Sequence, residues 1–197
     1  MENWIFNNTS LLLEIMAVML GILYVILAAR LNIYCWIFGI IGSLISIYIF
    51  IFYAKLYSEA LLYLFYVIAG VYGWINWANK KKNISEVYSN SVPKNLLIIL
   101  GGIIFSLVLY KVITYFFLDA QKPLIDSFTT VFSIIATYLT AKKRLENWLY
   151  WIAIDALTTY LYYSRELEIY ALLMLCYTLM AAYGFIRWKK LKVIKIV

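Results

Sequence analysis

The sequence predicts an all-α integral membrane protein whose seven transmembrane helices form two parallel three-helix repeats around one linker helix. Three observations carry that prediction. The 197 residues are 65% hydrophobic and only 14% charged, more apolar surface than a soluble chain of this length can cover. Runs long enough to cross a bilayer follow one another almost without interruption, each near the 18 residues or so that a spanning helix needs. Residues 60–77 and 171–188 also repeat one another.

The spans are expected at 11–29, 33–53, 60–78, 96–118, 126–141, 146–163 and 169–187. In the first, Glu14 lies near one end and reaches the headgroups. The start of the chain has no basic n-region or small-x-small cleavage site, so it does not read as a cleaved signal peptide. The second span carries Gly39 with Ser43 and Gly42 with Ser46, a spacing of small residues that lets helices approach closely. The third presents Tyr63, Tyr66, Gly70 and Trp77 along one stripe. A polar loop, Asn79 to Asn95, leads to the fourth span, the linker, which contains Lys111. The fifth is short and rich in Ser and Thr, offering Asp126, Thr130, Ser133, Thr137 and Thr140. It is accepted because Asp126 and Lys142 bracket it and because the repeat requires it. The sixth aligns Trp148, Trp151, Asp155, Thr159 and Tyr162 on one face. The seventh ends at Arg187, next to Trp188. Three segments follow: a first repeat at 1–79, a loop and linker helix at 80–118, and a second repeat with a basic tail at 119–197.

Charge placement orients the chain. Of the 17 Lys and Arg, 13 fall on the side that holds the C-terminus, among them Lys80-Lys81-Lys82, Lys142-Lys143-Arg144 and the run from Arg187. Lys55, Lys122 and Arg165 fall on the other side. Basic residues concentrate on the cytoplasmic face, so the C-terminus is expected in the cytoplasm and the N-terminus outside. This clustering at span ends is a topology signal rather than a nucleic-acid surface.

The duplication is specific. At an offset of 111, nine of 18 positions in 60–77 recur in 171–188, including Y-G-x-x-x-W at 72–77 and 183–188. Upstream, Asn32-x-x-x-Trp36 matches Asn147-x-x-x-Trp151 at an offset of 115. One linker crossing between two three-span units gives both the same orientation, an architecture common among secondary transporters.

Asp155 stands out chemically. Near the middle of the sixth span an ionised carboxylate costs at least about 2.5–3.5 kcal/mol on insertion scales, so it is expected to face a cavity or a partner helix. Tyr63, Tyr66, Trp151 and Tyr160 lie too deep for an interfacial belt, whereas Trp77 and Trp188, beside lysines, read as belt anchors. Mid-depth aromatic rings and one carboxylate suit a planar or cationic solute, held by stacking and cation–π contact.

The motifs E-N-W-x-x-W at Glu146 to Trp151 and Y-G-x-x-x-W at both repeat ends resemble the Pnu family of bacterial vitamin transporters, as does the 3+1+3 plan. The resemblance covers essentially the whole chain. It implies a fold similar to SWEET sugar transporters and facilitated diffusion across the bacterial inner membrane, with the solute trapped inside by phosphorylation. Homo-oligomers, such as trimers, are expected, with no cofactor. One branch of the family carries nicotinamide riboside and a sister branch thiamine. In the nicotinamide riboside branch, a Trp on the sixth span is followed four residues later by Asn, and the third span brings Gln and Asn to the pocket. The matching positions are Trp151, Asp155, Tyr63 and Gly70: the Trp is kept and the amides are not. Amides suit ribose hydroxyls and a carboxamide, and a carboxylate with extra tyrosine suits thiamine; nicotinamide riboside stays first on the family pattern. The candidate solute-binding set is Trp151, Asp155, Tyr63, Tyr66, Gly70, Asn147, Trp148, Thr137, Trp36 and Tyr177.

Other classes fit less well. Histidine is absent, which removes the commonest general base and metal ligand, and no second membrane carboxylate pairs with Asp155. No metal site is expected. Cys35 and Cys176 are far apart without C-x-x-C spacing and read as apolar packing. A substrate-binding subunit of an ATP-driven vitamin importer would need a separate ATPase, since no phosphate-binding glycine loop is present.

Overall fold

A computed structural model describes residues 2–53, 55, 57–79, 86–116, 122–164 and 166–196. The Lys80-Lys81-Lys82 cluster and Arg165 lie outside the described residues. Seven α-helices run through the described chain: α1 (Glu2–Ala29), α2 (Cys35–Tyr48), α3 (Tyr57–Ala78), α4 (Val92–Phe116), α5 (Pro123–Ala141), α6 (Asn147–Tyr163) and α7 (Glu168–Lys189). A π-helical turn, Ile49–Tyr53, extends α2. Six of these helices are apolar and long enough to cross a bilayer. The remaining one, α6, has 17 residues, a rise of about 25 Å that sits at the short end of the range for a crossing.

The helices differ from expectation mostly at their ends. α4 starts at Val92, four residues earlier than expected, and α5 starts at Pro123 after Lys122 in left-handed geometry (φ 52°). Proline suits a first helical position because its missing N–H has no acceptor there. The Ser and Thr residues that made α5 look weak are accommodated within it. Ser127, Thr137 and Thr140 donate to the carbonyls of Pro123, Ser133 and Ala136 at 2.7, 2.8 and 2.9 Å. Such back-bonding satisfies hydroxyls where no water is available.

The chain divides into two compact units, residues 1–84 and 85–197. In the first unit α2 packs between α1 and α3. Glycine makes both approaches possible: a Cβ on Gly39 would meet the Tyr24 ring at 2.9 Å, and one on Gly73 would meet the Trp36 indole at 2.4 Å. In the second unit α4 packs on α5, α5 on α6 and α6 on α7. Gly184 receives the Trp148 indole as Gly73 receives Trp36, with 2.7 Å left for a Cβ. The rings of Trp36 and Trp77 meet edge to face at 5.4 Å and 85°, and those of Trp148 and Trp188 at 5.4 Å and 89°. Trp77 and Trp188 are therefore not belt anchors. Both are buried, at 5% and 0% exposure, because each closes the far side of an indole seated on a glycine.

Matching contacts recur in the two turns as well. Asn32 N–H donates to Leu27 O at 2.9 Å, and Arg144 N–H to Leu139 O at 2.9 Å. Cys35 N–H donates to Asn32 O, and Asn147 N–H to Arg144 O. Leu31 (φ 54°) and Lys143 (φ 52°) occupy the same left-handed position in the two turns. The offset is 112, not 115, so Trp36 corresponds to Trp148 rather than Trp151. Two tryptophans three residues apart in α6 made the letter match ambiguous, and the turn geometry resolves it.

Where a polar loop and a basic tail were expected, the second unit forms a small sheet. Strand β1 (Glu86–Asn90) pairs in parallel with β2 (Lys192–Ile196). On its other side Tyr88 N–H donates to Lys143 O at 2.9 Å and Tyr88 O accepts from Leu145 N–H at 2.8 Å. The Glu146 carboxylate completes the tie. Its Oε1 accepts from Ser89 Oγ at 2.6 Å and from Asn90 N–H at 2.9 Å. Three separate stretches (the lead into α4, the α5–α6 turn and the end of the chain) are thus held together.

Candidate functional site

Asp155 lies at the midpoint of α6 and is 9% exposed. Among the described residues no cation or hydrogen-bond donor pairs with its carboxylate; its backbone carbonyl accepts from Thr159 Oγ1 at 2.7 Å. A buried carboxylate without a partner is costly, so the position selects for something that offsets it. One turn earlier on the same face, half-buried Trp151 packs against Phe132, Ala136 and Ile154. This packing fixes the indole beside α5. Tyr150 lies face to face with Phe132 at 5.9 Å and 21°.

In the first unit, Tyr63 and Tyr66 are half-buried on α3, with ring centroids 5.4 Å apart at 80°. Phe50, from the π turn, tilts against Tyr63 at 5.3 Å. That contact was not anticipated, because the π turn moves Phe50 off the periodicity of α2 and leaves no signal in the sequence.

The other candidates are engaged inside their helix pairs. The Cβ position of Gly70 faces α2, 2.6 Å from Ile40 Cγ1. Trp36 and Trp148 fill the glycine seats described above, each with its indole N–H buried and without an acceptor. Asn147 is wholly buried; its Oδ1 accepts from Thr140 Oγ1 at 3.0 Å, and its Nδ2 donates to Arg144 O. Thr137 bonds back to Ser133 O. Tyr177, the α7 counterpart of Tyr66 at an offset of 111, is half-buried. Tyr160, expected at mid-depth, is exposed, with the Lys122 ammonium 5.7 Å over its ring. The second unit thus carries Trp151 one turn from Asp155 on α6, and the first unit carries the aromatic pair Tyr63 and Tyr66 on α3.

Residues 11–190 match the family model described as nicotinamide mononucleotide transporter. The chain belongs to the nicotinamide mononucleotide transporter family. Within that family it is 30% identical to the nicotinamide riboside transporter PnuC of Neisseria mucosa, over 95% of this chain and 75% of that protein. It is 27% identical to the nicotinamide riboside transporter PnuC of Escherichia coli K12, over 89% of this chain and 84% of that protein. The crystal structure of the vitamin B3 transporter PnuC is similar with a TM-score of 0.72 and 25% identity, covering 95% of this chain and 84% of that chain. The Pnu resemblance of the motifs and the multi-pass transporter fold are both supported by these matches. Membership makes the protein a member of a transporter family rather than of an enzyme family.

Proposed function

We propose that this protein carries nicotinamide riboside into the cell by facilitated diffusion. The carrying observation is Asp155: a buried carboxylate at mid-helix, without a partner among the described residues, one turn from a fixed tryptophan. The nicotinamide ring of the riboside is a cation. Trp151 stacks on that ring, Asp155 offsets its charge, and Tyr177 supplies further aromatic surface and a hydroxyl. Gly70, Thr137, Asn147, Trp36 and Trp148 hold the helices that present these side chains. The names of the relatives support the solute.

Transport is passive in this reading, because Asp155 alone is too little for the chain of ionisable groups that a proton relay uses. Phosphorylation inside the cell then retains the solute. The protein resides in the bacterial inner membrane with its N-terminus outside, works as a homo-oligomer such as a trimer, and comprises two duplicated triplets joined by α4. The recurrence of turn geometry at 112 supports the duplication.

Thiamine is the second reading, favoured by one observation: position 155 is an acid, and Tyr63 stands where the family pattern has an amide. The test is counterflow in liposomes holding only the purified protein. Labelled nicotinamide riboside should enter against unlabelled nicotinamide riboside inside, equilibrate without an ion gradient, and be displaced poorly by thiamine and riboflavin. Displacement by thiamine alone reverses the order. Uptake that requires an added ATPase or a proton gradient removes the passive reading.

A further inference from the structure

The two copies do not keep one register throughout. At the start of the second helix the offset is 112, from the Trp36–Gly73 and Trp148–Gly184 seats and the turns before them. At its far end Lys55 (φ 57°) and Glu166 (φ 60°) occupy equivalent left-handed positions at an offset of 111. The first copy therefore holds one residue more between these landmarks. That residue is absorbed by the π turn Ile49–Tyr53; its counterpart α6 is α-helical from Asn147 to Tyr163. A turn closed by i→i+5 bonds encloses one more residue than an α turn, packs less well, and occurs often at functional sites.

Its side chains lead to the candidate site. Phe50 leans on Tyr63 at 5.3 Å and Tyr63 meets Tyr66 at 5.4 Å. Tyr48 contacts Phe52 at 4.8 Å and Tyr53 at 5.9 Å, which brackets the turn with rings. Shifting an extra residue along a helix rotates the residues it passes by about 100° each, since an α-helix has 3.6 residues per turn. Such a shift swings Phe50 off Tyr63 without unfolding α2.

We propose that the π turn Ile49–Tyr53 is the moving joint of the first triplet, and that Phe50 is the positioning residue that couples it to Tyr63 and Tyr66. Among its described residues α6 has no such turn and serves as the fixed counterpart. On the orientation proposed above the joint lies at the outer end of α2, so it opens the outer side.

Hydrogen exchange of the full-length protein in lipid nanodiscs tests the joint without any solute. Amides of 49–53 should exchange at least ten-fold faster than those of the α6 counterpart, 160–164. Equal rates overturn the proposal. Deleting Phe52, which is 54% exposed, gives the stretch from Trp36 to Lys55 the residue count of the stretch from Trp148 to Glu166. The deleted protein should keep its affinity for the counterflow solute within two-fold, while its exchange rate falls ten-fold or more. Phe50→Ala, which leaves the helix intact, should show the same split between affinity and rate. Unchanged transport in Phe50→Ala makes the π turn a static accommodation. If neither nicotinamide riboside nor thiamine is carried by the parent, the functional reading fails, and the exchange comparison still decides the joint.

Discussion

Replacing Asp155 by asparagine separates charge from shape at the midpoint of α6. The two side chains have the same size, and the site is 9% exposed, so little water screens the carboxylate. A hydrogen bond to a charged group in such a setting is worth about 1.5–3 kcal/mol. At 1.4 kcal/mol per factor of ten, affinity for a cationic solute should fall about 10- to 150-fold. Among the described residues nothing offsets the acid. The same substitution should therefore raise the unfolding temperature of the solute-free protein, as relieving a functional strain does. Titration calorimetry of parent and variant with nicotinamide riboside and thiamine measures the first effect, and a thermal melt in detergent measures the second. An affinity within two-fold of the parent for the transported solute, in a folded variant, refutes the assignment of Asp155 to the solute. Trp151→Ala supplies the complement: it should weaken both solutes by ten-fold or more, because stacking does not depend on which cation is bound.

Gly73→Ala and Gly184→Ala should each destabilise the protein by about 1–3 kcal/mol, the range for overpacked cores. Their added methyls would sit 2.4 and 2.7 Å from indoles already braced by a second tryptophan; paired thermal melts check this, and an unshifted midpoint in either denies the seat. Glu146→Ala leaves the Ser89 hydroxyl and the Asn90 amide without their acceptor, at about 1–3 kcal/mol for each buried donor. Faster hydrogen exchange across 86–90 should report the loss. A reporter fused after Val197 should behave as cytoplasmic, since the basic residues gather on that side; periplasmic behaviour would remove the proposed orientation.

The sequence disclosed whatever repeats along one helix, and concealed whatever depends on two. Spans were legible because twenty apolar residues have one stable fate in a bilayer. The recurrence of Y-G-x-x-x-W was legible, but what its residues do was not. Gly73 exists to admit Trp36, and Trp77 closes the seat, a relation between α2 and α3 that no single-helix pattern contains. The belt reading of Trp77 and Trp188 failed for the same reason: lysines beside them suggested an interface, and burial is decided by a partner helix. The strands 86–90 and 192–196 are five residues each and pair across the length of the second unit, so only the fold reveals them. Asp155 was legible because a charge at mid-span has few explanations. That no group among the described residues pairs with its carboxylate was not.

Register 112 places Gly39 opposite Trp151 and Ser43 opposite Asp155, which locates the divergence of the two copies at the chemistry. Gly39 lets the Tyr24 ring sit against α2 at a distance no Cβ tolerates, and Ser43 is buried beside it. In the first copy, then, these positions serve packing. In α6 the positions at that offset carry an indole and a carboxylate. Matching turn contacts and glycine seats recur where α2 and α6 begin. The two helices differ halfway along, where a solute would lie, and again at the π turn, where only the first copy has the extra residue. The two proposals together assign the tasks of a carrier to different helices, holding to α6 and moving to the end of α2. Substitutions at 151 and 155 should therefore act on affinity, and changes within 49–53 on rate.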